Sequence, residues 1–100
     1  KDLTDPTNVV ITQPLANTIV SGVAVAVIAT AEDNLGVSDV ELLVDNITQT
    51  ITPIFTPPNL YTFIWNTVPF LDGPHTLKVK AYDEAGNTTT SSGVRVFVDN

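Results

Sequence analysis

The sequence predicts an all-β sandwich of about seven short antiparallel strands in two stacked sheets. Three observations carry that expectation. Apolar residues alternate with a period of two and show almost no helical spacing. Pro, Gly, Asn and Asp interrupt the chain roughly every 8–12 residues, the turn spacing of a sandwich. The 100 residues are 43% hydrophobic and 15% charged, which suits one domain with a real core rather than two domains or a disordered chain. A small closed barrel is the alternative that the same pattern would build.

The elements follow in order. Val9 and Ile11 make a first strand stopped by Pro14, and residues 15–18 form a turn. Residues 23–31 make a second strand, with bulky Val23, Val25 and Val27 facing inward and small Ala24 and Ala26 on the other face. A turn over residues 32–36 leads to a third strand at residues 37–45. There Val40, Leu42 and Val44 share one face and Asp39, Glu41 and Asp45 the other, as in an antiparallel sheet with one wet side. Residues 48–54 read as a polar edge strand, limited by Pro53, Pro57 and Pro58, whose sheet is left open.

The fifth strand, residues 60–66, places Tyr61, Phe63 and Trp65 on one face. Residues 69–74 contain Asp72-Gly73 and turn the chain. Residues 75–83 point Leu77, Val79 and Ala81 inward and Lys78, Lys80 and Tyr82 outward. A loop at residues 84–87 precedes the last strand, where Val94, Val96 and Val98 face in and Arg95 faces out. No repeat or internal linker is visible. The sandwich is expected over residues 8–98, with residues 1–7 and the polar Asp99-Asn100 reading as interdomain linker.

Composition excludes several functions. The chain has no Cys and one His, hence no disulfide framework, no thiol nucleophile and no multi-His metal cluster. A formal charge of −7 argues against nucleic acid and anionic membranes. No apolar run approaches the roughly 18 residues of a spanning helix, and no signal-like start is present.

Several segments together resemble the bacterial Ig-like domain family. They are Val-Ser-Gly at 20–22, Ala-Glu-Asp-Asn-Leu-Gly-Val at 31–37, Val-Glu-Leu-Leu-Val-Asp at 40–45 and Tyr-Thr-Phe-Ile-Trp-Asn-Thr at 61–67. Asp-Gly-Pro-His-Thr-Leu at 72–77 and Lys-Ala-Tyr-Asp-Glu-Ala-Gly-Asn at 80–87 complete the set, the last being the most specific. The resemblance spans nearly the whole chain. It implies an Ig-like β-sandwich and a non-catalytic, extracellular and often tandem module, used as a spacer or accessory in secreted glycoside hydrolases and proteases or in surface adhesins. Neighbouring domains of the same chain are then the expected partners, with carbohydrate or a cell-wall polymer as the alternative, and the module is expected to be a monomer. Odd strand parity puts the two chain ends at opposite poles, which suits beads on a string.

Candidate sites are few. Parity gathers the 32–34 loop, the 83–87 loop and the incoming segment at one pole. Asp33, Asp83, Asn87 and Asp5, with Glu32, Asn34, Glu84 and Asp2 nearby, offer oxygens for Ca²⁺, which takes 6–8 of them. The competing reading makes Asp33 and Asp83 acceptors for turn N–H groups, with Gly86 at positive φ and Asn87 supplying a second turn bond. No dense D-x-D-x-D-G loop is present.

Tyr61, Phe63 and Trp65 at i, i+2, i+4 would make a sugar-stacking face, but suit a sandwich interior better. Ile64, Phe97, Tyr82, Phe55 and Phe70 are the apolar residues expected off the core. His75 has no nucleophile motif beside it, so a hydrogen bond at a strand start is its expected role. A glycosidase carboxylate pair needs a cleft that a packed sandwich of this size lacks. A Lys–Asn crosslink needs a buried Lys, whereas Lys78 and Lys80 fall outward and Lys1 is terminal. Asn46-Ile47-Thr48 and Asn87-Thr88-Thr89 match the glycosylation pattern, which carries little weight in a bacterial setting.

Overall fold

The computed structural model describes residues 5–34 and 36–100. Among them are ten strand segments and no helix: β1 (Thr7–Gln13), β2 (Ile19–Val20), β3 (Val25–Glu32), β4 (Val37–Val44), β5 (Ile47–Thr48), β6 (Ile54–Thr56), β7 (Leu60–Trp65), β8 (Gly73–Asp83), β9 (Thr88–Thr90) and β10 (Val94–Val98). They form a sandwich of two sheets. One has the order β1-β3-β7-β6; the other runs β2-β10-β8-β4-β5, with β9 also paired to β8.

The seven expected strands become ten segments for three local reasons. The first strand changes sheet: β1 pairs antiparallel with β3, and after Pro14 the chain crosses so that β2 pairs parallel with β10. The 48–54 segment divides between the sheets instead of forming one strand. Asp45 and Asn46, with φ of 52° and 67°, make a two-residue turn of the left-handed kind that suits a tight hairpin. The turn ends β4 at Val44, one residue short of expectation, and folds β5 back onto it with Val44 opposite Ile47. The chain then crosses over, and β6 joins β7 in the opposite sheet. The last strand is interrupted at Ser91–Gly93: β9 and β10 both pair with β8, and Ser91 bridges the gap. Its N–H donates to Val79 O at 2.8 Å, and its hydroxyl accepts from Val79 N–H at 2.9 Å.

The inward faces are Val27, Ala29 and Ala31 on β3, Val40, Leu42 and Val44 on β4, Phe63 and Trp65 on β7, Leu77, Val79 and Ala81 on β8, and Val96 and Val98 on β10. Across the β3–β7 ladder Ala29 lies opposite Tyr61 and Val27 opposite Phe63, so a smaller side chain of β3 stands beside each aromatic ring of β7.

Val23 departs from the expectation. It is 69% exposed, because the ladder of β3 with β7 begins only at Val25 opposite Trp65. Before that point Gly22, at φ 110°, turns the chain toward Thr67, and the two residues exchange hydrogen bonds. The long axis measures 46 Å and the other two 21 Å.

Candidate functional site

Three segments meet at one pole of the sandwich, as parity anticipates. Thr7 of β1 faces Glu32 of β3, Val37 of β4 faces Asp83 of β8, and the Thr89 hydroxyl donates to Pro6 O at 2.7 Å. Gly36 lies against the Glu84 carboxylate: a methyl group on its Cα would sit 3.6 Å from Oε2.

Asp83 is buried and organises the turn that follows it. Its Oδ1 accepts from Ala85 N–H at 2.9 Å and Asn87 N–H at 2.8 Å, and its Oδ2 accepts from Asn87 Nδ2 at 2.8 Å. The loop closes through Gly86 N–H to Asp83 O and Asp83 N–H to Asn87 O, with Gly86 at φ 91°. Asp83 and Asn87 therefore bond to each other across a turn. Asp33 starts another turn, its carbonyl accepting from Gly36 N–H at 3.3 Å, and Asp5 is exposed. Among the described residues no group of three or more His, Cys, Asp or Glu side chains is gathered where one metal ion could be held. Lys1 and Asp2 lie outside the described residues, as does Leu35.

Beside this pole a groove of about 660 Å³ opens between residues 31–33 and 36–37 on one side and the β6–β7 hairpin on the other. Phe55 and Tyr61, opposite each other on β6 and β7, form one wall, with ring centres 4.9 Å apart and planes tilted by 33°. Asn59, in the turn of the same hairpin, reaches across to β3, its Nδ2 donating to Glu32 Oε2 at 2.7 Å. Burial pushes the Tyr61 hydroxyl above its ordinary pKa of 10.0. Sequence reasoning singled out Phe55 but not Asn59 or the groove. The cue was Pro57-Pro58-Asn59 between two aromatic positions, a turn that folds Phe55 back onto Tyr61.

The opposite pole holds the other candidates. Trp65 is 1% exposed and belongs to the core. Phe70, expected off the core, is half-buried; its ring meets Trp65 edge-on at 5.3 Å and His75 at 5.5 Å. The turn 69–74 folds it inward to close the end of the sandwich. His75 stands at the start of β8, with Nδ1 2.6 Å from Asp45 Oδ2 and Nε2 2.7 Å from Leu71 O. Both partners are acceptors, so both ring nitrogens carry protons when the two bonds form together.

Burial alone would pull the imidazole down; the Leu71 carbonyl and the Asp45 carboxylate outweigh it and hold the pKa above the ordinary 6.5. Burial likewise raises Asp45, but the Thr76 N–H and His75 outweigh it and hold the carboxyl below 3.8. Next to this pair Asn100 is tied to the 67–72 segment by Nδ2 bonds to Thr67 O at 2.9 Å and Phe70 O at 3.1 Å, and its N–H donates to Asp72 Oδ1 at 2.8 Å. No sequence motif announced this network.

The remaining candidates lie on outer faces. Ile64 and Phe55 are exposed, while Tyr82 and Phe97 are half-buried. Tyr82 donates to Glu41 Oε1 at 2.7 Å and carries Lys80 Nζ over its ring at 5.2 Å; the bond to Glu41, with some burial, raises its pKa above 10.0. Arg95 lies over the Phe97 ring at 5.3 Å, and Lys78 Nζ donates to Asn46 Oδ1 at 3.1 Å. Neither Lys78 nor Lys80 enters the core, so the geometry of an internal crosslink is not formed by them.

Comparison with known proteins agrees with this architecture. No curated protein sequence matches the chain. Among solved structures, the endo-beta-1,4-mannanase from Thermotoga petrophila superposes over 100% of this chain and 21% of its own, with a TM-score of 0.80 and 18% identity. The fibronectin(III)-like modules of Clostridium thermocellum CbhA superpose over 99% of this chain and 49% of theirs, with a TM-score of 0.73 and 31% identity. The chain thus spans a fifth and about half of those two chains. The profile of the bacterial Ig domain family matches residues 8–79, most of the sandwich, and the chain belongs to the bacterial Ig domains.

Proposed function

We propose that this domain is a non-catalytic spacer or stalk module of a secreted or cell-surface bacterial protein. The observation that carries the reading is the placement of Pro6 and Asn100. Pro6 is anchored at the Asp83 pole and Asn100 at the Asp72 pole, so the whole length of β8, an 11-residue strand spanning about 35 Å, separates them. Pro6 and Asn100 are both bonded to the body, so a pull or a tilt applied at either residue is transmitted through the packed core.

The same geometry speaks against catalysis. The lone His has both ring nitrogens engaged by a carboxylate and a carbonyl, leaving no lone pair to act as base. Likeness to part of a mannanase chain supports an extracellular setting, because a mannan polymer is too large to be met inside a cell. Among the described residues no helix is long and apolar enough to cross a membrane.

The test exploits the absence of Cys. Spin labels at Asp5→Cys and Asp99→Cys should give one narrow distance population of the order of the 46 Å long axis. A broad or multiple distribution would remove the rigid-spacer reading.

A further inference from the structure

We propose that the outer face of the β1-β3-β7-β6 sheet is a self-association surface, on which a second copy of this domain packs face to face about a twofold axis. This goes beyond the spacer reading and does not depend on it.

The register defines the face. Val10 stands opposite Thr30 and Thr30 opposite Leu60; Ile28 stands opposite Thr62 and Thr62 opposite Ile54; Ala26 stands opposite Ile64. Cross-strand partners share a face, and this one points away from the core that Phe63 and Trp65 enter. Val10, Ala26, Ile54 and Ile64 are exposed, and Ile28 and Leu60 are half-buried. Single exposed apolar residues are ordinary, whereas six on one face of four adjacent strands make a patch of the kind that marks an interface. The other sheet is the contrast: β4, β8 and β10 carry Asp39, Glu41, Lys78, Lys80 and Arg95.

Charge selects the occupant. Among the described residues of β1, β3, β6 and β7 only Glu32 is charged, and it lies at the Asp83 pole, at the end of β3. The face thus offers no cation to an anionic group, and its alternation leaves no aromatic ring on it for a sugar to stack on. Its complement must be neutral and apolar in turn, which a second copy supplies by construction. Bodies of formal charge −7 repel one another, and this face lets two of them meet with their charges turned outward. A twofold axis lying across the strands sets the long axes antiparallel and keeps the two Glu32 side chains at opposite ends of the contact. Shape agrees, because sheets of equal twist stack about 10 Å apart at roughly 30°, as the two layers of a sandwich do.

The edges of the same sheet are closed to strand addition. Pro53 and Pro57 flank β6, and Pro6 and Pro14 flank β1, whose ladder with β3 is broken by two register shifts. Association therefore goes through the face and stops at two. Four strands about 4.8 Å apart and five residues of about 3.4 Å each make a face of roughly 300 Å² per copy. Two such faces fall short of the ~1,200 Å² of a stable complex, so the free domain pairs weakly, with a dissociation constant of about 0.1–1 mM. Tethering copies side by side raises their effective concentration into that range.

The experiment is a ¹H–¹⁵N NMR dilution series of the intact domain from about 0.05 to 2 mM, with sedimentation equilibrium over the same range. The expected result is a monomer–dimer equilibrium with concentration-dependent shifts centred on residues 10–13, 26–30, 54–56 and 60–64. Association should tighten in 0.5 M NaCl, which screens the repulsion between the two bodies. Ile64→Lys should weaken pairing at least tenfold, although it lowers the net negative charge, because it buries an ammonium in the contact. Ile54→Lys should do the same from the edge of the sheet. Leu71→Lys, with the same change of charge in the turn before β8, should leave pairing intact. Four outcomes overturn the proposal. The domain stays monomeric throughout, which leaves the face to a neighbouring domain or a lipid surface; the shifts centre on β4 and β8; assembly continues past the dimer; or Ile64→Lys pairs as well as the parent. The distance measurement that tests the spacer reading is made in dilute solution within one chain, so neither result decides the other.

Discussion

The buried Thr67 hydroxyl donates to the Asn100 side-chain oxygen at 2.8 Å, across 33 positions of sequence. The same hydroxyl accepts from Gly22 N–H at 2.9 Å. One side chain thus joins the bend before β3, the turn after β7 and the segment after β10. Thr67→Val keeps the shape and deletes these bonds, leaving the Gly22 N–H and the Asn100 oxygen without it. The expected cost is about 1–3 kcal/mol of unfolding free energy, read by urea denaturation with Trp65 fluorescence. Asn100→Ala should cost less, about 0.5–1.5 kcal/mol, because its site is more open to water. Equal stability of Thr67→Val and the parent would show that this junction is not held by its hydroxyl.

The His75–Asp45 pair makes stability depend on pH, and the sign follows from the two shifts. His75 is raised in the folded state, so its contribution is complete below pH about 6.5 and disappears as pH climbs through the higher folded value. Asp45 is lowered, so its contribution is present above pH about 3.8 and disappears as pH falls through the lower folded value. The pair is therefore most stabilising between those limits and weakens on the alkaline side. Asp45 is 45% exposed, so solvent screens the interaction and the alkaline loss should stay below about 1 kcal/mol. His75→Gln should flatten the stability profile between pH 6 and 9; an unchanged slope in that variant would assign the pH dependence to other groups.

Much of this architecture was legible in the chain, and the exceptions share a cause. The inward faces of β4, β8 and β10 follow directly from alternation, because each strand has a long ladder that enforces one phase. Val23 has the right phase but no ladder, so Gly22 and Thr67 decide its place. Residues 48–54 read as one edge strand but divide between the sheets, because the chain crosses over there and period-two patterning carries no information about which sheet a short segment joins. Phe70 lies in a turn, where no periodicity exists, and only its packing against Trp65 and His75 reveals its role. The groove belongs to the same class. It is defined by Asn59 and Glu32 meeting across 27 positions, a relationship that composition and spacing do not record.

Core and surface leucines should behave oppositely. Leu42 is fully buried at the centre of β4, whereas Leu71 is 83% exposed in the turn before β8. Leu42→Ala removes transfer energy and leaves a cavity, for an expected loss of about 2–5 kcal/mol. Leu71→Ala should fall within about 0.5 kcal/mol of the parent, because only its carbonyl is used, by His75. Chemical denaturation of the two variants side by side checks both values.

The interruption between β9 and β10 depends on a missing side chain. A Cβ on Gly93 would lie 2.7 Å from Thr76 Cγ2, a separation that real methyl groups do not tolerate. Thr76 is β-branched, sits in β8, and its N–H is held by Asp45 Oδ1 at 2.9 Å, so it has little room to retreat. Gly93→Ala should therefore destabilise by about 1–3 kcal/mol. Combining it with Thr76→Ser, which deletes the clashing methyl, should recover most of that loss. Strictly additive single-variant effects in this double-mutant cycle would mean that the two positions do not collide.

The acidic pole yields the last expectation, on calcium. Asp83 accepts three N–H bonds from residues 85 and 87, and a cation approaching its carboxylate would have to displace or share them. Those donors already stabilise the charge that a metal ligand would offer. Asp83→Ala should accordingly lower the melting temperature by an amount corresponding to about 1–3 kcal/mol, the cost of leaving buried turn donors unanswered, and the drop should be the same with calcium or with a chelator. The parent domain should likewise melt at one temperature in both conditions, since a ligand that prefers the folded state must raise it. A calcium-dependent rise that Asp83→Ala abolishes would instead make Asp83 a metal ligand, and the turn bonds a resting arrangement that the ion replaces.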